Sequence, residues 1–123
     1  MNQSKLRLIH KVFQVAKVAD RSVHMSETNW KAFYKQCQLD DSFNGADYCK
    51  ELVVHDYDEA CRSHALHLEH AACYGGYRLD YYCNGGGGTS HFFKSSRCNA
   101  ESLADILEAY ITGYRSAKTE KAG

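Results

Sequence analysis

The hydrophobic positions of the first forty residues recur with the period of an α-helix. A first helix is predicted over 4–19, because its apolar side chains share one broad face while charged residues lie opposite. Ser26 is a good N-cap residue and predicts the start of a second helix. The apolar positions of this second helix follow the i, i+3, i+4, i+7 rule and are Trp30, Phe33, Tyr34 and Cys37.

The middle of the chain has a less regular pattern. Apolar spacing over 46–53 predicts a short third helix, with a strand at Val53 and Val54 as the alternative. Asp56 followed by Glu59 resembles a capping box, so we expect a fourth helix that begins there and continues to about Tyr74.

After Gly76 the period changes from 3.6 to 2. Residues 77–83 alternate, 89–94 repeat the alternation, and the glycine-rich stretch between them predicts a hairpin loop. Asn99 then caps a final helix, expected over 100–117, with a clear apolar stripe.

These elements predict a helix-rich α+β fold in a single compact domain. We expect four to five helices packed with a β-hairpin or small antiparallel sheet in the C-terminal half, because an isolated hairpin is not stable. The domain is predicted to span 1–117, with 118–123 as a flexible polar tail.

Composition limits the class of protein further. The chain has 123 residues, 44% of them hydrophobic, and no apolar run approaches the roughly 20 residues that span a bilayer. The first twenty residues lack the apolar core of a secretory signal, so we expect a cytoplasmic location without membrane association. The six cysteines are therefore expected to be reduced and mostly buried.

Charge is segregated along the chain although the net charge is zero. Residues 1–35 carry seven basic and two acidic side chains, whereas 36–70 carry eight acidic and two basic ones. An acidic surface can occupy a groove that binds nucleic acid, which makes partner-binding candidates of Asp40, Asp41, Asp47, Asp56 and Asp58. The alternative is direct nucleic-acid binding by the basic first helix, through Lys5, Arg7, Lys11 and Lys17.

The most regular chemical motif places Cys or His at every third position: Cys61, His64, His67, His70 and Cys73. These are zinc-ligand types, and a zinc-stabilised module is an open alternative. On a helix, however, residues three apart sweep around the cylinder, and the CxxC signature is absent. The prediction is therefore no metal and no cofactor.

No residue pattern predicts an enzyme. The run of glycines at 85–88 lacks the lysine and the following helix of a phosphate-binding loop. Cys83 with His91, or His55 with Asp56, could serve acid–base or nucleophilic chemistry, but neither pair has a third orienting group in its motif.

Aromatic residues concentrate in the predicted hairpin, near several glycines. Tyrosine is enriched at protein interfaces, and one face of a hairpin would expose its aromatic side chains unless helices cover both faces. The candidate partner-binding aromatics are Tyr77, Tyr81, Tyr82 and Phe92.

The segment 74–86 resembles the ArdB/KlcA-type antirestriction proteins, which carry a Gly-Gly-Tyr, an aromatic strand and an Asn-Gly-Gly turn. The matching positions are Gly75, Gly76, Tyr77, Tyr81, Asn84, Gly85 and Gly86. The resemblance covers about a tenth of the chain. It implies a small non-catalytic protein of a mobile element that blunts a host nucleic-acid defence system.

The predicted function combines these features. We expect a non-enzymatic protein, encoded by a phage or plasmid, that inhibits a host restriction or CRISPR effector by occupying a protein surface. Direct nucleic-acid binding is not expected under this hypothesis.

Overall fold

The fold is built around a helix buried on several sides. In the computed structural model, residues 2–39, 46–71, 76–83, 89–92 and 97–122 are described. The helices are α1 (Gln3–Ala19), α2 (Glu27–Leu39), α3 (Cys49–Leu52), α4 (Tyr57–Arg62) and α5 (Ala100–Ala122), with a 3₁₀ turn at Ala46–Tyr48. The strands are β1 (Val23–His24), β2 (Val53–Val54), β3 (Leu66–Ala71), β4 (Gly76–Tyr82) and β5 (Thr89–His91).

The main hydrophobic core lies between α1, its neighbouring helices and one face of the sheet. Phe13 of α1 stacks on Phe33 of α2, with ring centroids 5.5 Å apart. Helix α5 packs along α1 through Leu107 and Ile111, both almost fully buried. Seven residues of α1 are buried: Leu6, Leu8, Ile9, Val12, Phe13, Val15 and Ala16.

Ion pairs border the contact between α1 and α5. Arg7 donates to Asp105 at 3.0 Å, and Lys11 pairs with Glu108. The hydrogen bond from Lys11 is the main cause that lowers the pKa of Glu108. These pairs are partly exposed, so they fix the helix register more than they stabilise the fold.

The described strands form one five-stranded sheet in the order β2-β1-β3-β4-β5. Strand β1 runs parallel to both β2 and β3, whereas β3–β4 and β4–β5 are antiparallel. The long pairing is β3 with β4, from Leu66 opposite Tyr81 to Ala71 opposite Gly76. In contrast, β1 has only two residues, and its register with β3 is the single pair Val23 and Leu66.

The two faces of the sheet have different surroundings. Leu66 and Leu79 lie on the face covered by α1 and α5, in the main core. Tyr82 belongs to the opposite face and packs with Ala60 and Cys61 of α4 in a second, smaller cluster. The sheet is therefore covered on both faces where α4 crosses it.

The structure confirms the α+β class and several predicted elements. The side chains of Ser26 and Asn99 accept backbone N–H bonds from Asn29 and Ser102, so both residues cap helices as expected. Of the two readings at 53–54, the strand is the observed one. The last helix continues to Ala122, into the segment for which the sequence predicts a polar tail.

The prediction of a long fourth helix is wrong. Asp56 caps α4 as expected, with its side chain accepting the Glu59 N–H at 3.0 Å, but the helix ends at Arg62. His64 then adopts a left-handed conformation with φ of 51°, and Arg21 donates to its carbonyl at 2.9 Å. The sequence that follows is β3, because Leu-His-Leu-Glu-His alternates with period 2.

The sheet also differs from the expected hairpin. It is larger and mixed, because the short strands β1 and β2 join the antiparallel β3–β4–β5 unit by parallel pairing. Val53 and Val54 are the strand that the sequence offered as an alternative, but strands of two residues carry no detectable period, so β1 and the parallel pairing had no signal in the sequence.

Gly76 begins β4 at a point of close backbone approach. Its φ is +109°, and a Cβ atom added there would lie 2.5 Å from the carbonyl oxygen of Cys98. The backbone of Cys98 exchanges hydrogen bonds with Tyr77, which fixes this approach. Gly113 in α5 has open space around it instead.

We expect Gly76→Ala to lower the free energy of unfolding by roughly 1–3 kcal/mol, through backbone strain and displacement of Cys98. The matched control Gly113→Ala should raise it by about 0.5–1 kcal/mol, since alanine favours the helix. Urea unfolding followed by circular dichroism measures both values. Equal effects of the two substitutions would contradict the close approach at Gly76.

Candidate binding sites

An aromatic and imidazole cluster occupies the sheet face that α4 covers. The Nδ1 atom of His24 lies 2.7 Å from the hydroxyl oxygen of Tyr82. The rings of His67 and Tyr57 each lie within 5.5 Å of the Tyr82 ring, centroid to centroid. Tyr82 is thus the centre of the cluster, and its burial raises the pKa of its phenol.

An ion network adjoins this cluster on the same face. Arg78 donates to Asp80 at 2.9 Å and to Glu69 at 2.8 Å, and Arg97 donates to Glu69 at 2.7 Å. Asp80 is fully buried, so its carboxylate depends on the Arg78 guanidinium for compensation. The two cations and two anions balance, which makes the network a structural clamp between β3 and β4.

His67 lies between the cluster and the ion network. Burial lowers the pKa of His67, and the neighbouring His24 lowers it further, while Asp80 and Glu69 act in the opposite direction. A neutral imidazole is therefore favoured in the folded protein at neutral pH.

A groove of about 320 Å³ opens where β1 ends. Its floor is apolar, with Ile9 and Val12 of α1, Val23 of β1 and Leu68 of β3. Tyr77 forms one wall.

The polar side chains that line this groove are basic or neutral. Lys5, His24, His67 and His70 contribute an amine and three imidazoles, and Ser26 and Asn29 add a hydroxyl and an amide. Among the described residues that line the groove, none carries a carboxylate. The groove therefore favours an anionic or hydrogen-bond-accepting group over a cation.

The predicted aromatic residues do not share one exposed surface. Tyr77, Tyr81 and Phe92 pack against the main core, and the guanidinium of Arg21 lies 5.0 Å from the Tyr81 ring centre. Tyr82 lies on the opposite face and is only 6% exposed. Helices cover both faces, which was the alternative to an exposed aromatic face.

The predicted acidic residues are exposed where they are described. Asp47 pairs with Lys50 at 3.9 Å, Asp56 caps α4, and Asp58 lies in the first turn of the same helix. Asp40 and Asp41 lie outside the described residues.

The predicted basic residues of α1 have separate roles. Arg7 and Lys11 form ion pairs with α5, and Lys17 lies over the Tyr48 ring at 4.8 Å. Lys5 lines the groove. The four cations therefore do not act as one free basic stripe.

The regular Cys and His motif does not assemble. His67 and His70 lie on opposite faces of β3, and Cys73 lies outside the described residues. Within residues 2–39, 46–71, 76–83, 89–92 and 97–122, no three His, Cys, Asp or Glu side chains are placed to hold a metal ion. The single helix expected for this motif is wrong, because Cys61 lies in α4 whereas His67 and His70 belong to β3.

The structure gives the two residue pairs that could serve catalysis other neighbours. The register pairs His91 with Asp80, so β5 does not place His91 opposite Cys83. The Nδ1 atom of His55 lies 2.7 Å from the carbonyl oxygen of Met25, while Asp56 caps α4.

Sequence reasoning missed both the groove and the cluster around Tyr82. The alternation Leu66-His67-Leu68 was the available signal, since it predicts a strand that puts His67 on one face and the leucines on the other. The contact between His24 and Tyr82 joins residues 58 positions apart and has no local signal.

Comparisons of the chain with protein-family models, curated proteins and solved structures found no match. No helix in the described part of the chain combines the length and the hydrophobicity needed to cross a membrane.

The lowered pKa of His67 predicts a loss of stability in mild acid. The unfolded chain binds a proton near the ordinary value of 6.5, whereas the folded protein binds it only at lower pH. The contribution of neutral His67 to the free energy of unfolding is therefore complete above pH 6.5. It is lost as the pH falls from 6.5 through the lower pKa that His67 has in the folded state. His67→Gln should reduce this loss by roughly 1 kcal/mol or less.

Urea unfolding at pH values above and below 6.5 checks this expectation. The matched control is His70→Gln, because His70 is an exposed residue of the same strand. Burial also lowers the pKa of His10, so the His67 variant should keep part of the acid sensitivity. If His67→Gln leaves the pH dependence of the free energy of unfolding unchanged, His67 is not the origin of the acid sensitivity.

Proposed function

We propose that this protein is a non-catalytic inhibitor, encoded by a phage or plasmid, that binds a restriction or CRISPR effector of its host. The observation that supports the proposal is an exposed acidic surface on α4, centred on Tyr57. We call the residues Asp56, Tyr57, Asp58 and Glu59 the α4 surface.

The α4 surface combines charge with an exposed aromatic ring. Tyr57 is 48% exposed, whereas the described candidate aromatics Tyr77, Tyr81, Tyr82 and Phe92 are packed or buried. Asp58 and Glu59 are exposed, and no described cation forms an ion pair with either carboxylate. Their charges are therefore available to a partner.

The ring of Tyr57 packs against a buried ring of the sheet. Its ring meets the buried Tyr82 edge-on, with centroids 5.4 Å apart and an interplanar angle of 85°. A partly exposed tyrosine held by such a contact loses little side-chain entropy when a partner binds it.

This chemistry suits an effector whose function is to bind nucleic acid. Such proteins carry grooves rich in Lys and Arg for the phosphate backbone. Carboxylates on a rigid scaffold can occupy such a groove, and electrostatic attraction also speeds the encounter. The resemblance of segment 74–86 to antirestriction proteins supports the same class of target, independently of α4.

Direct nucleic-acid binding by α1 receives less support. The pairing of Arg7 with Asp105 and of Lys11 with Glu108 partly neutralises the basic helix. A gel shift with mixed DNA and RNA at two salt concentrations separates the two functions, since only direct binding gives a salt-sensitive shift.

The proposal predicts that the wild-type protein restores phage plating on bacteria that carry a matching restriction or CRISPR system. The double variant Asp58→Lys with Glu59→Lys should reduce this restoration by about tenfold or more, because it reverses the charge of the α4 surface. Plating efficiency, measured over a panel of defence systems with equal protein levels, gives the readout.

Glu27→Lys is the matched control, since Glu27 is also an exposed acid in the first turn of a helix. It carries a helix-dipole cost of the same kind, from one reversed charge instead of two, but lies outside the α4 surface. Failure of the wild-type protein to restore phage plating with any defence system of the panel would overturn the proposed function. Restoration that survives the α4 double variant would overturn the role of this surface.

A further inference from the structure

The groove at the end of β1 forms because β1 is shorter than its neighbour β3. β1 ends at His24, and the chain leaves the sheet because Ser26 caps α2. β3 continues for five residues beyond its single register pair with β1, from His67 to Ala71. His24 lies next to His67, with ring centroids 6.1 Å apart, and no described strand lies beside the remainder of that part of β3 on the β1 side.

One face of α1 forms the other side of the groove. Lys5, Ile9 and Val12 follow the i, i+4, i+7 spacing, which places them on one face of the helix. A ligand between α1 and β3 would thus meet an apolar floor with a lysine toward the N-terminal end.

Hydrogen-bonding groups are also available on the strand side. The main chain of Ala65 accepts from Tyr82 on the β4 side, so by alternation the N–H groups of Leu68 and His70 are directed to the β1 side. Leu66 uses its own N–H on that side, donating to the Ser22 carbonyl. Beyond it, this edge of β3 borders the groove.

His24 contributes a fixed imidazole. Its Nδ1 atom is held by the Tyr82 hydroxyl at 2.7 Å, which leaves Nε2 as the ring nitrogen that can meet a ligand. When the Tyr82 hydroxyl is the donor in this contact, the neutral ring carries its proton on Nε2 and can donate it to an acceptor.

We propose that this groove binds a small organic carboxylate with an apolar body. The apolar body lies on Ile9, Val12 and Leu68, and the carboxylate meets the donors of Lys5 and His24. The volume of about 320 Å³ is at the lower end of the range for small-molecule pockets, roughly 300–1,000 Å³, which favours a compact ligand. The site is separate from the α4 surface and does not depend on the proposed function.

A matched pair of probes tests the charge requirement. 3-Phenylpropanoate and its uncharged amide, 3-phenylpropanamide, have nearly the same shape, and titration of isotope-labelled protein by NMR measures the affinity of each. We expect the carboxylate to bind about tenfold more tightly than the amide. The largest shifts should occur at the backbone amides of Leu68 and His70.

Charge reversal provides the second arm of the test. Lys5→Glu should remove the preference for the carboxylate, while keeping the fold, because an acid is favourable in the first turn of α1. Lys35→Glu is the control, since Lys35 is exposed on α2 and does not line the groove.

Three results would overturn the proposal. The first is no shift at Leu68 and His70 with 3-phenylpropanoate. The second is equal binding of the carboxylate and the amide. The third is an unchanged preference in Lys5→Glu, with its fold verified by the same spectra.

Discussion

The burial of α1 is the constraint on which the rest of the structure depends. Its 17 residues extend for about 25 Å, with apolar side chains directed to α2, α5 and the sheet. Phe13 of α1 stacks on Phe33 of α2, and Leu107 of α5 is buried in the same core. The sheet contributes Leu66 and Leu79 to the same core. The main contact surfaces therefore meet at this helix.

The groove follows from the different lengths of α1 and β1. A strand of two residues covers only about 7 Å, so the N-terminal half of α1 extends past it. Ile9 in this half and Val12 near the middle of α1 face β3 across a space that no described strand fills. Arg7 and Lys11 are directed to α5 instead and pair with its acids, which leaves Lys5 as the cation of α1 at the groove.

The sequence predicted the elements whose signals are local. α1, α2 and α5 have amphipathic stripes and, at Ser26 and Asn99, clear caps. The α4 cap at Asp56 was also predictable, but the end of α4 depends on the left-handed His64 and on Arg21 from a distant segment. The groove and the contact of His24 with Tyr82 depend on strand register across the chain, which no local pattern encodes. The candidate acidic residues that the structure describes are exposed, which agrees with the cost of burying an unpaired charge, whereas the aromatic residues had two possible environments.

The two proposed sites are joined by a continuous set of side-chain contacts. Tyr57 of the α4 surface meets Tyr82 edge-on, and Tyr82 holds the imidazole of His24, which lines the groove. Tyr57 and His24 also meet directly, with ring centroids 6.3 Å apart. A ligand that moved His24 would have to disturb a buried ring whose other side supports Tyr57. Tyr82 is therefore the one buried side chain among these that contacts both Tyr57 of the α4 surface and His24 of the groove lining.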